Sequence, residues 1–159
     1  MIAANDLARA LFSEIHVQSR RRPVSHPLFV FFDPRAHNFL SDWSKVADNT
    51  VAALRTQVGL DRFDKALSDL VGGLATQSEA FRARWAAHNV RRHYTGTKRI
   101  RHPAVGDIEL TFEAIAADRG LTLFVCTAQA GSSSEDALKL LASWSAVEAH
   151  IGEDASTRL

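Results

Sequence analysis

Ile108-Glu109-Leu110-Thr111-Phe112-Glu113 reads apolar, polar, apolar, polar, apolar, polar. Alternation with period two marks a β-strand that has one face on a core and the other in water. This stretch decides the fold class, because the chain before it follows a different period. Two short strand-like runs precede it, Val90 to Tyr94 and Lys98 to His102, with a turn expected around Thr95-Gly96. After it, Asp118-Arg119-Gly120 turns the chain into Leu121 to Thr127. That run is more apolar, which predicts a central strand. A Gly/Ser loop, Gly131 to Ser134, then leads into a last helix from Glu135 to Ile151, with Leu140, Trp144, Val147 and Ile151 as its main stripe. Leu138, Leu141 and Ala142 form a second stripe on that helix.

Upstream, apolar residues recur at helical spacing. Asn5 is placed to cap a first helix carrying Leu7, Leu11, Phe12 and Ile15. A polar loop from Ser19 to Pro27 follows, and then Leu28 to Phe32, read as a buried strand or an extended segment ended by Asp33-Pro34. Ser41 opens a predicted long helix to Val58, with Trp43, Val46, Ala47, Val51, Leu54 and Val58 on one face and Gly59 as its stop. Arg62 to Leu74 predicts a second, with Phe63, Leu67, Leu70, Val71 and Leu74 inward. Thr76-Gln77-Ser78-Glu79 has the pattern of a capping box opening a third, on which Phe81, Trp85 and His88 align. Helices, then an antiparallel sheet, then a closing helix make an α+β domain.

The chain's 159 residues suit a single domain with its own core. A formal net charge of +1 favours no class of partner. The lone cysteine, Cys126, forms no intrachain disulfide and reads as a strand thiol in a reducing compartment. No secretory leader and no run of about 18 apolar residues is visible, so a cytoplasmic location is expected.

The basic cluster Arg91, Arg92, His93, Lys98, Arg99, Arg101 and His102 has three readings. It is the wet face of a hairpin, an anion site for the acid end of a ligand, or a nucleic-acid contact. His88 is either a core histidine or a polar group lining a pocket. Ser132, Ser133 and Ser134 lack a nucleophile's flanks and suit helix capping. No metal-ligand spacing and no nucleophile–base pair appears, so no metal, no cofactor and no enzymatic activity are expected.

An ordered series of segments adds a resemblance. It includes Ala3-Ala4-Asn5, Phe32-Asp33-Pro34-Arg35, Asp42-Trp43, Val51-Ala52-Ala53-Leu54-Arg55 and Phe81-Arg82-Ala83-Arg84-Trp85. It continues through Trp85-Ala86-Ala87-His88-Asn89-Val90, Gly96-Thr97-Lys98-Arg99-Ile100-Arg101-His102-Pro103, Val105 to Thr111, Ala130 to Ser134 and Leu140 to Trp144. Taken in order, these resemble the MmyB-like ligand-binding domain of XRE-type bacterial transcription regulators. The resemblance implies a PAS-like antiparallel sheet with helices on one face, in a domain over residues 1–150, and the polar end over 151–159 reads as a flexible tail. It implies a pocket for a small apolar or fatty-acid-like molecule. Trp43, Phe81, Trp85, Phe112 and Phe124 are the expected apolar lining, with His88, Arg91 and Arg99 at the polar end. Met1 to Asn5 resembles the middle of the family's first strand. The expectation is therefore a domain with that strand mostly missing, which meets DNA only through a helix-turn-helix missing from this sequence. A homodimer or protein-interaction module without a ligand is the alternative.

Overall fold

A computed structural model of the chain describes residues 3–17, 24–87, 95–117 and 121–156. Among these, seven helices precede a three-stranded sheet and one helix follows it. The helices are α1 (Asp6–Leu11), α2 (Ser13–Val17), α3 (His26–Phe32), α4 (Ala36–Phe39), α5 (Trp43–Leu60), α6 (Lys65–Gln77), α7 (Glu79–Ala86) and α8 (Ser133–Ser156). The strands are β1 (Thr95–His102), β2 (Gly106–Ala116) and β3 (Thr122–Thr127), antiparallel in the order β1-β2-β3. The α+β class is as expected.

The deciding stretch behaves as its alternation predicts. Ile108, Leu110 and Phe112 are buried on one face of β2, while Glu109, Thr111 and Glu113 are exposed on the other. Register carries that division across the sheet. Ile100 pairs with Ile108 and Lys98 with Leu110 on β1, and Cys126 pairs with Phe112 on β3. Gly106 closes the β1–β2 turn with φ +78°, a conformation open to glycine.

Among the described residues the helices pack on the inner face. Leu11 and Ile15 of α1 and α2, Phe29 and Val30 of α3, Phe39 and Leu40 beside α4, and Ala137 and Leu141 of α8 join Ile100, Ile108 and Leu110 in one core. Each fully buried aliphatic chain there contributes about 1.5–3 kcal/mol. A second cluster, Val51, Leu54, Leu74 and Phe81, sits among α5, α6 and α7. His102 ties α1 to the sheet. Its Nδ1 accepts from the Ala104 amide at 3.2 Å, which leaves Nε2–H to donate to the Ala10 carbonyl at 3.0 Å.

Several sequence expectations are corrected. Leu28 to Phe32 is the body of helix α3, with Pro27 in its first turn, where its missing N–H costs nothing. Thr95-Gly96 begins β1 rather than turning. Helix α5 runs through Gly59, and α6 starts after Asp64, whose side chain accepts from the Leu67 amide. Phe63 thereby falls in the preceding turn and is 96% exposed. Ser78, not Thr76, caps α7, accepting from the Phe81 amide. The run over 121–127 is an edge strand, because β2 holds the centre; Leu123, Phe124 and Val125 are exposed. On α8 the face buried is Ala137, Leu138 and Leu141, whereas Leu140 and Trp144 are exposed. The wet-face reading fits Arg99 and Arg101 but not His102, which is buried, nor Lys98, which faces inward beside it. Val90 to Tyr94, with Arg91, Arg92 and His93, lie outside the described residues, as does His88.

Candidate functional site

The inner face of the sheet changes character along its length. At one end Ile100, Ile108 and Leu110 lie fully under helices. At the other, Gly96, Lys98, Phe112, Ala114, Phe124 and Cys126 share the face by register, and the cover thins: Phe124 is 59% exposed. An edge of the Phe112 ring packs closely against Gly96. A Cβ at residue 96 would stand 3.0 Å from Phe112 Cε1, so glycine there lets the ring rest on the strand. Gly96, Phe112, Ala114 and Phe124 make this end of the face an apolar floor.

Lys98 rises from that floor. Its ammonium is 5.4 Å from the ring centre of Phe12 and 5.5 Å from that of Phe112. Two ring faces attract a cation, but they do not replace its hydration. Among the described residues no carboxylate pairs with it. Burial accordingly lowers the Lys98 pKa, with the Cys126 side chain opposing that shift. Burial raises the Cys126 thiol in turn, and Lys98 draws it back down. His26, at the start of α3, is pushed down to about 3, by burial first and by the charge of Lys98 second. An ammonium, an imidazole and a thiol from three elements thus share one poorly hydrated region floored by aromatic rings.

Of the residues expected to line a pocket, Trp43, Phe81 and Trp85 come together, away from this floor. Phe31 links them: its ring is 6.3 Å from Trp43 and 5.1 Å from Phe81, both edge-on, and Phe81 stacks on Trp85 at 5.4 Å. Trp43 Nε1 donates to the Val30 carbonyl at 2.8 Å, and its ring stacks on His37. Arg84 lies over Trp43 and Arg55 over Trp85, where Arg55 also donates to the Trp85 carbonyl. These contacts fill the space between α3, α5 and α7. Phe112 and Phe124 lie on the sheet's inner face. Arg99 points outward and grips Asp42, with Nη2 3.0 Å from both carboxylate oxygens. His88 and Arg91 lie outside the described residues.

A polar cleft of about 220 Å³ opens among Glu109, Thr111, Gln129, Ser132 and Ser134. Its serines are structural: Ser132 Oγ accepts from the Glu135 amide as a helix cap, and Ser134 Oγ accepts from the Glu109 amide of β2. Among the described residues no three His, Cys, Asp or Glu side chains converge as a metal site, and no helix is long and apolar enough to cross a membrane.

Sequence reasoning missed Phe12, His26 and Phe31, and counted Lys98 only as part of a basic cluster. The signal for Lys98 was present: it stands two residues before Ile100 and four before His102 on the same strand.

The matching family model is the MmyB-like transcription regulator ligand binding domain, over residues 1–141, and the chain belongs to this family. It is a regulatory ligand-binding domain of a transcription regulator. No curated protein matches the chain.

Proposed function

We propose that this domain senses a small apolar or fatty-acid-like molecule on behalf of a bacterial XRE-type regulator in the cytoplasm. The ligand lies on the inner face of the sheet, over Phe112 and Phe124, and the domain is not an enzyme. Trp43, Phe81 and Trp85 belong to the separate packing among α3, α5 and α7. The observation that carries this reading is the incompletely covered end of the inner face, where Gly96, Lys98, Ala114 and Cys126 are half-buried and Phe124 is exposed beside the buried Phe112, whereas Ile100, Ile108 and Leu110 are fully packed. The family supports the ligand-binding role.

A signal has a route outward. Phe12 and Ala10 of the first helical segment rest on Lys98 and His102 of β1. A ligand seated at Lys98 therefore biases where α1 sits. If two positions of α1 exchange, the ligand shifts their populations by its difference in affinity for them. DNA contact belongs to a helix-turn-helix, not to this sheet. Native mass spectrometry with lipid extraction tests the reading. One small apolar molecule per chain is expected, or saturable uptake from a fatty-acid panel. An empty protein that ignores the panel refutes it.

A specific observation favours a second reading, self-association without a ligand. Ile115, Leu123 and Val125 are 48%, 57% and 38% exposed on the outer face, and the far edge of β3 pairs with no strand among the described residues. Apolar strand edges of this kind template pairing with another chain. Sedimentation velocity decides: a monomer throughout the micromolar range removes this reading.

A further inference from the structure

Six cations among the described residues are neutralised by nearby carboxylates. Arg35 pairs with Asp33 and Glu14, Arg84 with Asp48, Arg99 with Asp42, Arg101 with Asp107, Lys65 with Asp69 and Lys139 with Glu135. Lys98 differs in place and in company. It is on the sheet's inner face, its neighbours are the rings of Phe12 and Phe112, and its ion-pair position is empty among the described residues. Lys98 is half-buried, and an ammonium partly withdrawn from water and left without an anion is costly, so such groups are normally paired.

We propose that Lys98 is the anchor for the acid group of a monocarboxylate ligand, whose apolar body lies over Phe112 toward Phe124. The inference rests on the ligand-sensing reading above and assigns the polar end of that site. It moves this role from the outward-facing Arg99, whose guanidinium Asp42 already occupies, to a residue two ring contacts hold in place. A single ammonium matches a single negative charge. The apolar surroundings of the ammonium strengthen its attraction to an anion that arrives there. His26 and Cys126, the other titratable groups facing Lys98, carry no negative charge in their buried, shifted forms and do not compete for it. The floor selects for the rest of the molecule: rings and small side chains reward an alkyl or aryl body and offer few hydrogen bonds.

The test is calorimetric titration of the full chain with decanoate and with decan-1-ol, which share a body and differ in the acid. Wild type is expected to bind decanoate at least about tenfold more tightly, the range for a charge-assisted bond. Lys98→Met, which keeps the stem but not the charge, is expected to lose roughly ten- to a hundredfold in decanoate affinity and to hold decan-1-ol within about twofold. Lys98→Arg is expected to restore the preference for the acid. Equal binding of acid and alcohol by wild type overturns the anchor and leaves the ligand reading standing. Binding of neither probe overturns both. Loss of both probes in Lys98→Met shows a packing role and also overturns the anchor. Should Lys98→Met fail to fold, NMR of ¹³C-methylated wild-type lysines decides: the Lys98 pKa rises when decanoate saturates the protein, and an unchanged value refutes the proposal.

Discussion

Phe81→Ala separates packed core from ligand pocket. Phe81 is fully buried, in a cluster with Val51, Leu54 and Leu74. Truncating a buried phenylalanine costs about 3–5 kcal/mol, because transfer free energy is lost and a cavity remains. The edge contact to Phe31 and the stack on Trp85 are lost with the ring, each aromatic pair contributing about 0.5–1.5 kcal/mol. The surroundings cannot collapse readily, since the cluster is held by three separate helices, so the upper part of the range is expected. For a chain of this length that is a fall in Tm of roughly 6–20 °C. Urea unfolding followed by tryptophan fluorescence and by circular dichroism measures it, with Trp85 as the local reporter. A loss below about 1 kcal/mol, accompanied by a change in ligand affinity, would refute the packing argument and make Phe81 part of the pocket.

Three further outcomes are expected. His26 is held at about 3, below its ordinary 6.5, so the fold favours the uncharged ring; stability is whole above pH 6.5 and falls as pH drops toward 3. At about 1.4 kcal/mol per pH unit the loss reaches up to about 5 kcal/mol, and urea midpoints across that window should flatten in His26→Gln and in part in Lys98→Met. Asp33, with its carboxylate almost wholly buried, is held below its usual value by hydrogen bonds from the Arg35 side chain and amide. Asp33→Asn should cost about 2–4 kcal/mol at pH 7, and should remove the share of wild-type stability that is lost as pH falls below about 4; an unchanged urea midpoint contradicts this. Val125→Lys puts a charge on the exposed outer face of β3 and should abolish any concentration-dependent association seen by sedimentation, whereas association that persists unchanged places the contact elsewhere.

Much of the fold is legible where one local signal has one structural meaning. The alternation at Ile108–Glu113 fixes a strand and its buried face, and Asn5 caps its helix by accepting from the Ala8 amide as its residue type suggests. Ambiguity enters where two structures satisfy the same pattern. Five apolar residues at Leu28–Phe32 suit a buried strand as well as a helix turn, and only Pro27 favours the helix. Strand order is not a local property at all, so the apolar run over 121–127 gives no sign that it lies at the sheet's edge. The candidate site fails to show in the sequence for a related reason. Arg99 and Lys98 are neighbours in one basic run, yet the pleat sends one to Asp42 in water and the other between two aromatic rings. Trp43, Phe81 and Trp85 invite a pocket by composition, but the intervening Phe31, on a segment far from them in sequence, fills the space.

The central claim is that ligand occupies the inner face of the sheet around Lys98. Amide and methyl NMR shifts on titration with decanoate test it most directly. The account predicts saturable shifts concentrated at Gly96, Lys98, Phe112 and Cys126, spreading to Phe12 and Ala10 of the first helical segment. Shifts confined to Phe31, Phe81 and Trp85, or none at any concentration below micelle formation, would contradict it.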